Sequence, residues 1–335
     1  MVEQKGEHVM TAKNVVWNWR DALFGLALAV PGAAVILSGH VKPGIALLVG
    51  VLAAAGVEVA PTRKRRISIF ITGLVFAVSI VVGAFLAQWP VVAVAGIALV
   101  AFGAAQLAAR KSLGVLVTSL ALPLMGIGFS YDLQGAASFA ALVIVGSLYA
   151  WLVSLLFREY QSPPAPTKPL MSQTQAGLYG ILLALTAATT STLGFATHVE
   201  HVGWIVGAAL LVMRPSQEMQ ELRSVGRLVA VLLGAFSASV LLAIGVPTWV
   251  IAVVASAAII CMSATHTSRW YFTAAFTTFL VFWLLLYQQT GSGQIEHRFF
   301  ERVLETVAGV AIAYFFGLLV PKGLAYVSRR HTPPH

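Results

Sequence analysis

Three arginines lie close together between two apolar runs of the sequence, at Arg214, Arg223 and Arg227. Arg223 and Arg227 are four residues apart, so both would lie on one face of a helix. A guanidinium group binds a carboxylate through two parallel hydrogen bonds, and a cluster of three is therefore suited to attract organic anions. We predict an anion vestibule here. The alternative is that these side chains only contact lipid phosphates or follow the positive-inside rule.

A second group of charged residues is spaced by three and four, which places its members in one stripe along a helix: Arg298, Glu301, Arg302 and Glu305. Arg302 and Glu305 stand where an apolar run begins, and a charge inside such a run is costly and commonly functional. Arg302 is therefore a candidate for anion binding. Glu305, with Glu301 beside it, could exchange a proton as the arginine binds or releases an anion. The alternative is an ion pair that only fixes the helix to its neighbours.

Glu58 is the one acid within an apolar stretch of the first half of the chain, and it lies three residues before Pro61. We expect it to pair with Arg63 or Arg65 across the following turn. The alternative is a role as a proton relay, since an ionisable residue in an apolar segment is a candidate for such a function.

Aromatic side chains recur every three or four residues near position 280 and so share one helix face: Phe272, Phe276, Phe279, Trp283 and Tyr287. Thr273 and Thr277 add hydroxyl groups beside them. Such a face suits a flat organic anion, which makes Phe276, Phe279, Trp283 and the two threonines candidates for substrate contact. Contact with lipid is the alternative, because aromatic residues also form belts at membrane interfaces.

The composition determines which elements can position these residues. Of the 335 residues, 59% are hydrophobic and 10% charged, and the mean hydropathy is +0.86. A soluble protein has about 25% charged residues, so a soluble enzyme is excluded and a protein that crosses a membrane several times is indicated. The net charge of +9 would suggest nucleic acid in a soluble protein. In a membrane protein it reflects basic residues on the cytoplasmic side, and no nucleic-acid partner is predicted.

Twelve apolar runs predict an all-α membrane protein with twelve transmembrane helices: 21–39, 43–60, 67–88, 90–109, 113–130, 134–157, 176–196, 199–213, 228–245, 247–264, 270–288 and 301–320. With both termini in the cytoplasm, 18 of the 21 Lys and Arg residues lie on the inner side, and the exceptions are Lys42, Arg298 and Arg302. The eighth run is short. It predicts either a broken helix or a longer one whose start includes residues 197–204.

Prolines and basic residues recur in the same order in both halves, which predicts two parallel six-helix repeats. The short second and eighth runs hold matching positions, a pattern typical of transporter binding sites. The predicted regions are a cytoplasmic tail (1–20), a first repeat (21–157), a Pro-rich cytoplasmic linker (158–175), a second repeat (176–321) and a basic cytoplasmic tail (322–335). No metal or other cofactor is predicted, since His198 and His201 lack the further ligands that zinc needs.

Two stretches of the second half resemble the fusaric-acid-resistance (FUSC) or aromatic acid exporter superfamily, which is also similar to plant aluminium-activated malate channels. The first runs from Ala209 to Ser216 and is followed by Arg227-Leu-Val and Leu232-Leu-Gly-Ala; the second runs from Arg302 to Gly309 and on to Pro321. Ala230-Val231 departs from the usual Gly-Thr of the family. The resemblance implies a twelve-helix transporter of organic or aromatic carboxylates.

These observations together predict a non-enzymatic secondary transporter that exports small organic anions, including aromatic ones, driven by protons or by the membrane potential. Its expected surroundings are the bilayer of a bacterial cytoplasmic membrane, and its expected partner is the anion itself; a homodimer is left open. A passive anion channel of the malate-channel type is the first alternative. A non-transporting membrane scaffold for envelope assembly is the second.

Overall fold

The computed structural model describes residues 16–161, 172–197, 201–266, 270–286, 292–323 and 326, and within these ranges it contains helices and no strand. We number the helices in chain order: α1 (Trp19–Leu37), α2 (Val41–Gly50), α3 (Leu52–Ala55), α4 (Ile67–Ala87), α5 (Pro90–Ala108), α6 (Ser112–Leu116), α7 (Leu122–Gly128), α8 (Leu133–Ser154), α9 (Gln173–Ala196), α10 (Val202–Val212), α11 (Gln217–Ile244), α12 (Thr248–Ala264), α13 (Trp270–Leu286) and α14 (Ser292–Tyr314). A 3-10 turn (Arg63–Arg66) precedes α4. One π-turn (Val117–Ala121) joins α6 to α7, and another (Phe315–Leu319) extends α14.

Helices begin where the sequence supplies a capping side chain. Asn18 Oδ1 accepts hydrogen bonds from the first backbone N–H groups of α1, and Asp132 does the same for α8. Ser172 and Gln175 form a reciprocal capping box at the start of α9. Ser216 Oγ accepts the backbone N–H of Met219 and so caps α11, as its position after Pro215 predicts. Each cap satisfies donors that the first turn of a helix cannot satisfy itself.

Helical segments occur at all twelve predicted positions. Within the described residues, seven are long and apolar enough to cross a membrane by length and composition, and the other five apolar helices are shorter. The second segment is interrupted at Val51, between α2 and α3. Helices α11 and α14 begin at residues 217 and 292, well before the predicted positions 228 and 301. Both helices begin with mainly polar and charged residues, so an apolar run identifies only the part of each helix that follows.

Eight segments form a closed ring through their pairwise contacts. In order around the ring these are α2, α8, α4, α7, α10, α14, α11 and α13, and α13 packs against α2 again. Four further helices are not part of this ring, namely α1, α5, α9 and α12: α1 packs between α2 and α12, and α9 packs between α10 and α5. The two short helices α2 and α10 therefore occupy opposite positions in the ring.

The contacts of helices before residue 162 correspond to those of helices after residue 171. The α4–α8 contact corresponds to α11–α14, the α4–α7 contact to α11–α13, and the α2–α8 contact to α10–α14. Two further contacts cross between the halves in the same way, since α1 packs against α12 and α9 packs against α5. The order of helices and their packing are thus alike in both halves.

Helix α10 is enclosed by its neighbours, and residues 202–210 are all buried. Glycines permit this close approach. A Cβ atom on Gly309 of α14 would collide with the backbone oxygen of Ile205, and one on Gly203 would lie 2.5 Å from the backbone oxygen of Gly126 in α7. Small residues at such positions let helix backbones touch. As a result, α10 is held tightly between α7 and α14.

Candidate functional site

The short helix α10, which packs against α7 and α14, carries Trp204 in its first turn. It has 11 residues, so its length is about 16 Å against a hydrocarbon core of about 30 Å. Thr197 caps the end of α9 and α10 begins at Val202, so Thr197 does not belong to the short helix, contrary to what the longer alternative predicts. Trp204 in its first turn is buried, and the His201 ring stacks on it with 4.4 Å between ring centroids. His198 lies outside the described residues.

Arg302 lies over the face of Trp204. Its guanidinium carbon is 4.0 Å from the centroid of the indole ring, a cation–π contact. Arg302 is ten residues into α14, so about 15 Å of helix precedes it, and its exposed fraction is only 8%. Within the described part of the chain, its Nη1 atom has no hydrogen-bond partner. A buried guanidinium donor without an acceptor is suited to bind an anion.

Arg227 and Glu305 complete a buried charge cluster with Arg302. Their exposed fractions are 7% and 3%. Glu305 attracts Arg302 electrostatically, whereas Arg227 and Arg302 repel each other. Among the side chains that the structure describes here, two guanidinium groups thus face one carboxylate. An excess of positive charge is costly inside a protein unless an anion compensates it.

Tyr131 contributes to the same cluster from the first half of the chain. It lies between α7 and α8 and interacts electrostatically with Arg302. Its ring stacks on Phe139 of α8, with 5.7 Å between centroids. Burial raises the pKa of Tyr131, while Arg302 opposes this effect. Neutral tyrosine can donate its hydroxyl proton to a bound anion.

Arg214 lies at a separate cavity, which we call the mouth, and Arg223 is close to Arg214. This cavity has a volume of about 390 Å³ and is lined by Gln175, Arg214, Pro215, Ser216 and Met219. Arg214 Nη1 donates to the carbonyl of Met213 at 2.5 Å, and burial lowers the pKa of its guanidinium. Arg223 is close enough to Arg214 to repel it electrostatically.

The arginines predicted as one vestibule thus form a row from the mouth into the protein. Arg214 lies at the mouth, Arg223 lies close to it, and Arg227 follows one helical turn after Arg223 on α11. Arg227 in turn lies beside Arg302. The structure therefore links the two charged groups that the sequence presents 75 residues apart. The binding roles of these residues remain predictions.

The aromatic stripe of α13 is directed mainly into the protein. Phe279 and Trp283 are buried in the core and form a T-shaped pair with 5.0 Å between centroids. Phe276 and Phe279 also line an apolar cavity of about 340 Å³ between α11, α12 and α13. Thr277 Oγ1 donates to the carbonyl of Thr273, so this hydroxyl is engaged within its own helix. Tyr287 lies outside the described residues.

Of the predicted acids, Glu58 lies away from the buried charge cluster and Glu301 lies at its border. Glu58 is exposed and accepts a hydrogen bond of 2.9 Å from Tyr160 Oη. The expected pairing with Arg63 or Arg65 is wrong, because the described residues show no ion pair between them. Glu301 is half-buried, one turn before Glu305 on α14. The side chain of Arg298 lies outside the described part.

Trp204 and Tyr131 are candidate site residues that the charge pattern alone did not indicate. The signal available for Trp204 was its place in the short helix between two glycines, Gly203 and Gly207. For Tyr131 the sequence gives no comparable signal. It stands between two apolar runs, and its charged neighbour Asp132 caps α8.

Comparison with known proteins agrees with the resemblance inferred from the sequence. Residues 186–316 match the family model described as fusaric acid resistance protein-like. The matched stretch contains α10, the row of arginines and Glu305. The match confirms that resemblance for the second half of the chain, and together with the apolar helices it supports a multi-pass membrane protein. Searches of the curated proteins and of the solved structures found no significant match.

Proposed function

We propose that the protein is a secondary transporter that exports small organic carboxylate anions across a bacterial cytoplasmic membrane. The observation that carries this proposal is the row of arginines ending in a buried cluster with more positive than negative charge. The family match supports transport as the general function, since the FUSC family is a transport family. The substrate class rests on the guanidinium groups, which bind carboxylates in a fixed forked geometry.

The row supplies a path along which an anion can move from one arginine side chain to the next. Arg214 and Arg223 would collect the anion at the mouth, and Arg227 would pass it to Arg302. Trp204 and Tyr131 would contact the organic body and the carboxylate there. An inside-negative potential of 100 mV favours export of one negative charge by about 2.3 kcal/mol. Ionised Glu305 would be the counter-charge of Arg302 when no anion is bound, and it would take up a proton from water when an anion binds to Arg302.

We also propose that the two halves are parallel repeats with both termini in the cytoplasm. The corresponding helix contacts of the halves support this arrangement, as does the distribution of basic residues. An even number of helices in each half gives both halves the same orientation. Under this topology, the mouth opens to the cytoplasm.

Flux of a radiolabelled aromatic carboxylate such as benzoate from proteoliposomes tests the proposal. Arg302→Gln and Arg227→Gln should each reduce the flux by about tenfold or more, since a charge-assisted hydrogen bond contributes about 1.5–3 kcal/mol. Arg65→Gln is the matched control, because Arg65 is exposed and should leave the flux unchanged. Equal flux in all four proteins would contradict the proposal.

A pH gradient at clamped voltage separates an exporter from the passive channel. An exporter coupled to protons accumulates the anion against its gradient under these conditions, and a channel does not. Replacing Arg302 and Glu305 together with apolar residues addresses the scaffold alternative, which requires cellular function to persist in that double variant. Loss of acid or drug tolerance in that variant would exclude the scaffold.

A further inference from the structure

Gln220 connects the mouth to α14 through both ends of its amide. It is fully buried, with an exposed fraction of 0%. Its Oε1 atom accepts the backbone N–H of Arg214 at 2.7 Å, and its Nε2 atom donates to the backbone carbonyl of Ala313 at 3.1 Å. Gly317, one turn beyond Ala313, provides the space, because a Cβ there would lie 2.8 Å from the Gln220 side-chain carbon.

Only an amide of this length satisfies both partners. The backbone N–H of Arg214 requires an acceptor, and the carbonyl of Ala313 requires a donor. A glutamate would satisfy the first and repel the second, whereas a leucine would leave both buried groups without a hydrogen bond. Gln220 also begins the face of α11 that continues with Arg223 and Arg227, three and seven residues later. It therefore stands at the start of the arginine row.

The first half of the chain contains a stronger connection at the corresponding position. Arg66 follows Pro61 by five residues, as Gln220 follows Pro215. Arg66 is fully buried and donates to the carbonyls of Ala60, Ser154, Phe157 and Arg158. It thereby fixes the end of α8 to the turn before α4. Gln220 makes the corresponding connection between α14 and the turn before α11 with only two hydrogen bonds.

The helix on which Gln220 acts contains a π-turn at Phe315–Leu319, directly after Ala313. Such turns are rare, interrupt regular helical hydrogen bonding and are frequent at functional sites. The end of α14 is therefore held by a weaker connection than α8 and is adjacent to an irregular turn. The same helix carries Arg302 and Glu305.

We propose that Gln220 is a positioning residue that keeps the inner end of the mouth closed by joining the Arg214 turn to α14. Release of its two hydrogen bonds opens the passage from Arg214 to Arg223 and Arg227. This inference rests on the proposed function, because it takes the arginine row as the path of an anion. Gln220 itself binds no substrate; it acts through Arg214 and Ala313.

Thiol accessibility tests the proposal without measuring transport. Ser224 is buried one turn deeper on α11, so Ser224→Cys in a Cys261→Ala background reports whether small anions reach this depth. The protein is placed in lipid nanodiscs and treated with a negatively charged, membrane-impermeant methanethiosulfonate. With Gln220→Leu, we expect labelling about tenfold faster than with Gln220, which corresponds to about 1.4 kcal/mol.

Gln106→Leu is the matched control, because Gln106 Nε2 likewise donates to a backbone carbonyl of a neighbouring helix, that of Ala176, but outside the row. Labelling should remain slow in this variant. Equal acceleration in both variants would indicate general loosening and would overturn the proposal. Unchanged labelling in a monodisperse Gln220→Leu protein would overturn it as well.

Gln220→Glu keeps the proposal testable if the leucine variant does not fold, because it retains the acceptor for Arg214 and loses the donor to Ala313. Faster labelling of its reporter cysteine is expected, and unchanged labelling contradicts the proposal. Benzoate flux, measured on the same variants, distinguishes a failure of the closed mouth from a failure of the proposed function. Faster labelling without flux in any variant supports the closed mouth and contradicts the proposed function. Flux with unchanged labelling contradicts the closed mouth alone.

Discussion

Removing the carboxylate of Glu305 should tighten the binding of anions rather than weaken it. The buried charge cluster holds two guanidinium groups and this one carboxylate among its described side chains. Glu305→Gln removes the negative charge with little change in shape. An anion at Arg302 is then no longer repelled by Glu305 and no longer competes with it for the guanidinium group. Both effects act in the same direction.

The magnitude follows from the spacing of the two residues on α14. Arg302 and Glu305 are three residues apart, which places such side chains about 5–6 Å from each other on a helix. At an effective dielectric constant of about 20, two unit charges at this distance interact by about 3 kcal/mol. The affinity for a monovalent carboxylate should therefore rise by up to about 100-fold. Release becomes slower by a similar factor, so the maximal flux should fall.

Thermal unfolding in detergent, followed over a range of benzoate concentrations, measures this affinity because a ligand that binds the folded state raises the melting temperature. Glu305→Gln should melt at a lower temperature than the wild type without benzoate, since two buried guanidinium groups then lack a counter-charge. Its melting temperature should rise more than that of the wild type when benzoate is added. Glu301→Gln is the control, because Glu301 is only half-buried and lies one turn away. This variant should change the dependence of the melting temperature on benzoate much less. Weaker stabilisation by benzoate in Glu305→Gln would refute the electrostatic reasoning.

Three further predictions address the residues that support the site. Trp204→Leu should raise the benzoate concentration for half-maximal flux, because a desolvated cation–π contact contributes about 2 kcal/mol, and Trp204→Phe should raise it less. Gly309→Ala should lower the yield of monodisperse protein in size-exclusion chromatography because the added Cβ meets backbone of α10, whereas Gly103→Ala, with nothing within 4 Å, should not. Arg66→Leu should lower the free energy of unfolding by about 3 kcal/mol or more, since each buried carbonyl left without a donor costs about 1–3 kcal/mol. Arg65→Leu should have little effect, because Arg65 is exposed. Equal melting temperatures of the two variants would contradict the assigned role of Arg66.

The positions of the helices could be predicted from the sequence because apolar length alone requires a helix in a membrane. Helices α4 and α5 begin and end within a residue or two of the predicted boundaries. The beginnings of α11 and α14 could not be recognised in this way, since polar and charged residues precede the apolar run although the helix has already begun. Arg227, Arg302 and Glu305, which follow farther along these helices, are buried in the protein.

The candidate site could be predicted only in part. Spacing along one helix identified Arg223 with Arg227, and Arg302 with Glu305, because these relations are local. The contact of Arg302 with Trp204 and its interaction with Tyr131 depend on the packing of α10 against both α14 and α7, which no spacing expresses. In the same way, the pattern of α13 gave an aromatic face but not its direction, and Trp283 lies in the core instead of facing lipid.

The packing between the halves restricts the movements by which an anion could pass. A rigid rotation of one half against the other would have to separate α1 from α12 and α5 from α9, which are among the most extensive contacts between helices. It would also separate Tyr131, in the first half, from Arg302, in the second. Smaller movements within the ring need no such separation. The end of α14 can shift at its π-turn while α8 remains fixed by the four carbonyls that Arg66 binds. A local opening at the mouth therefore needs less disruption than a rotation of the halves, and under our proposal it begins with the release of the two hydrogen bonds of Gln220.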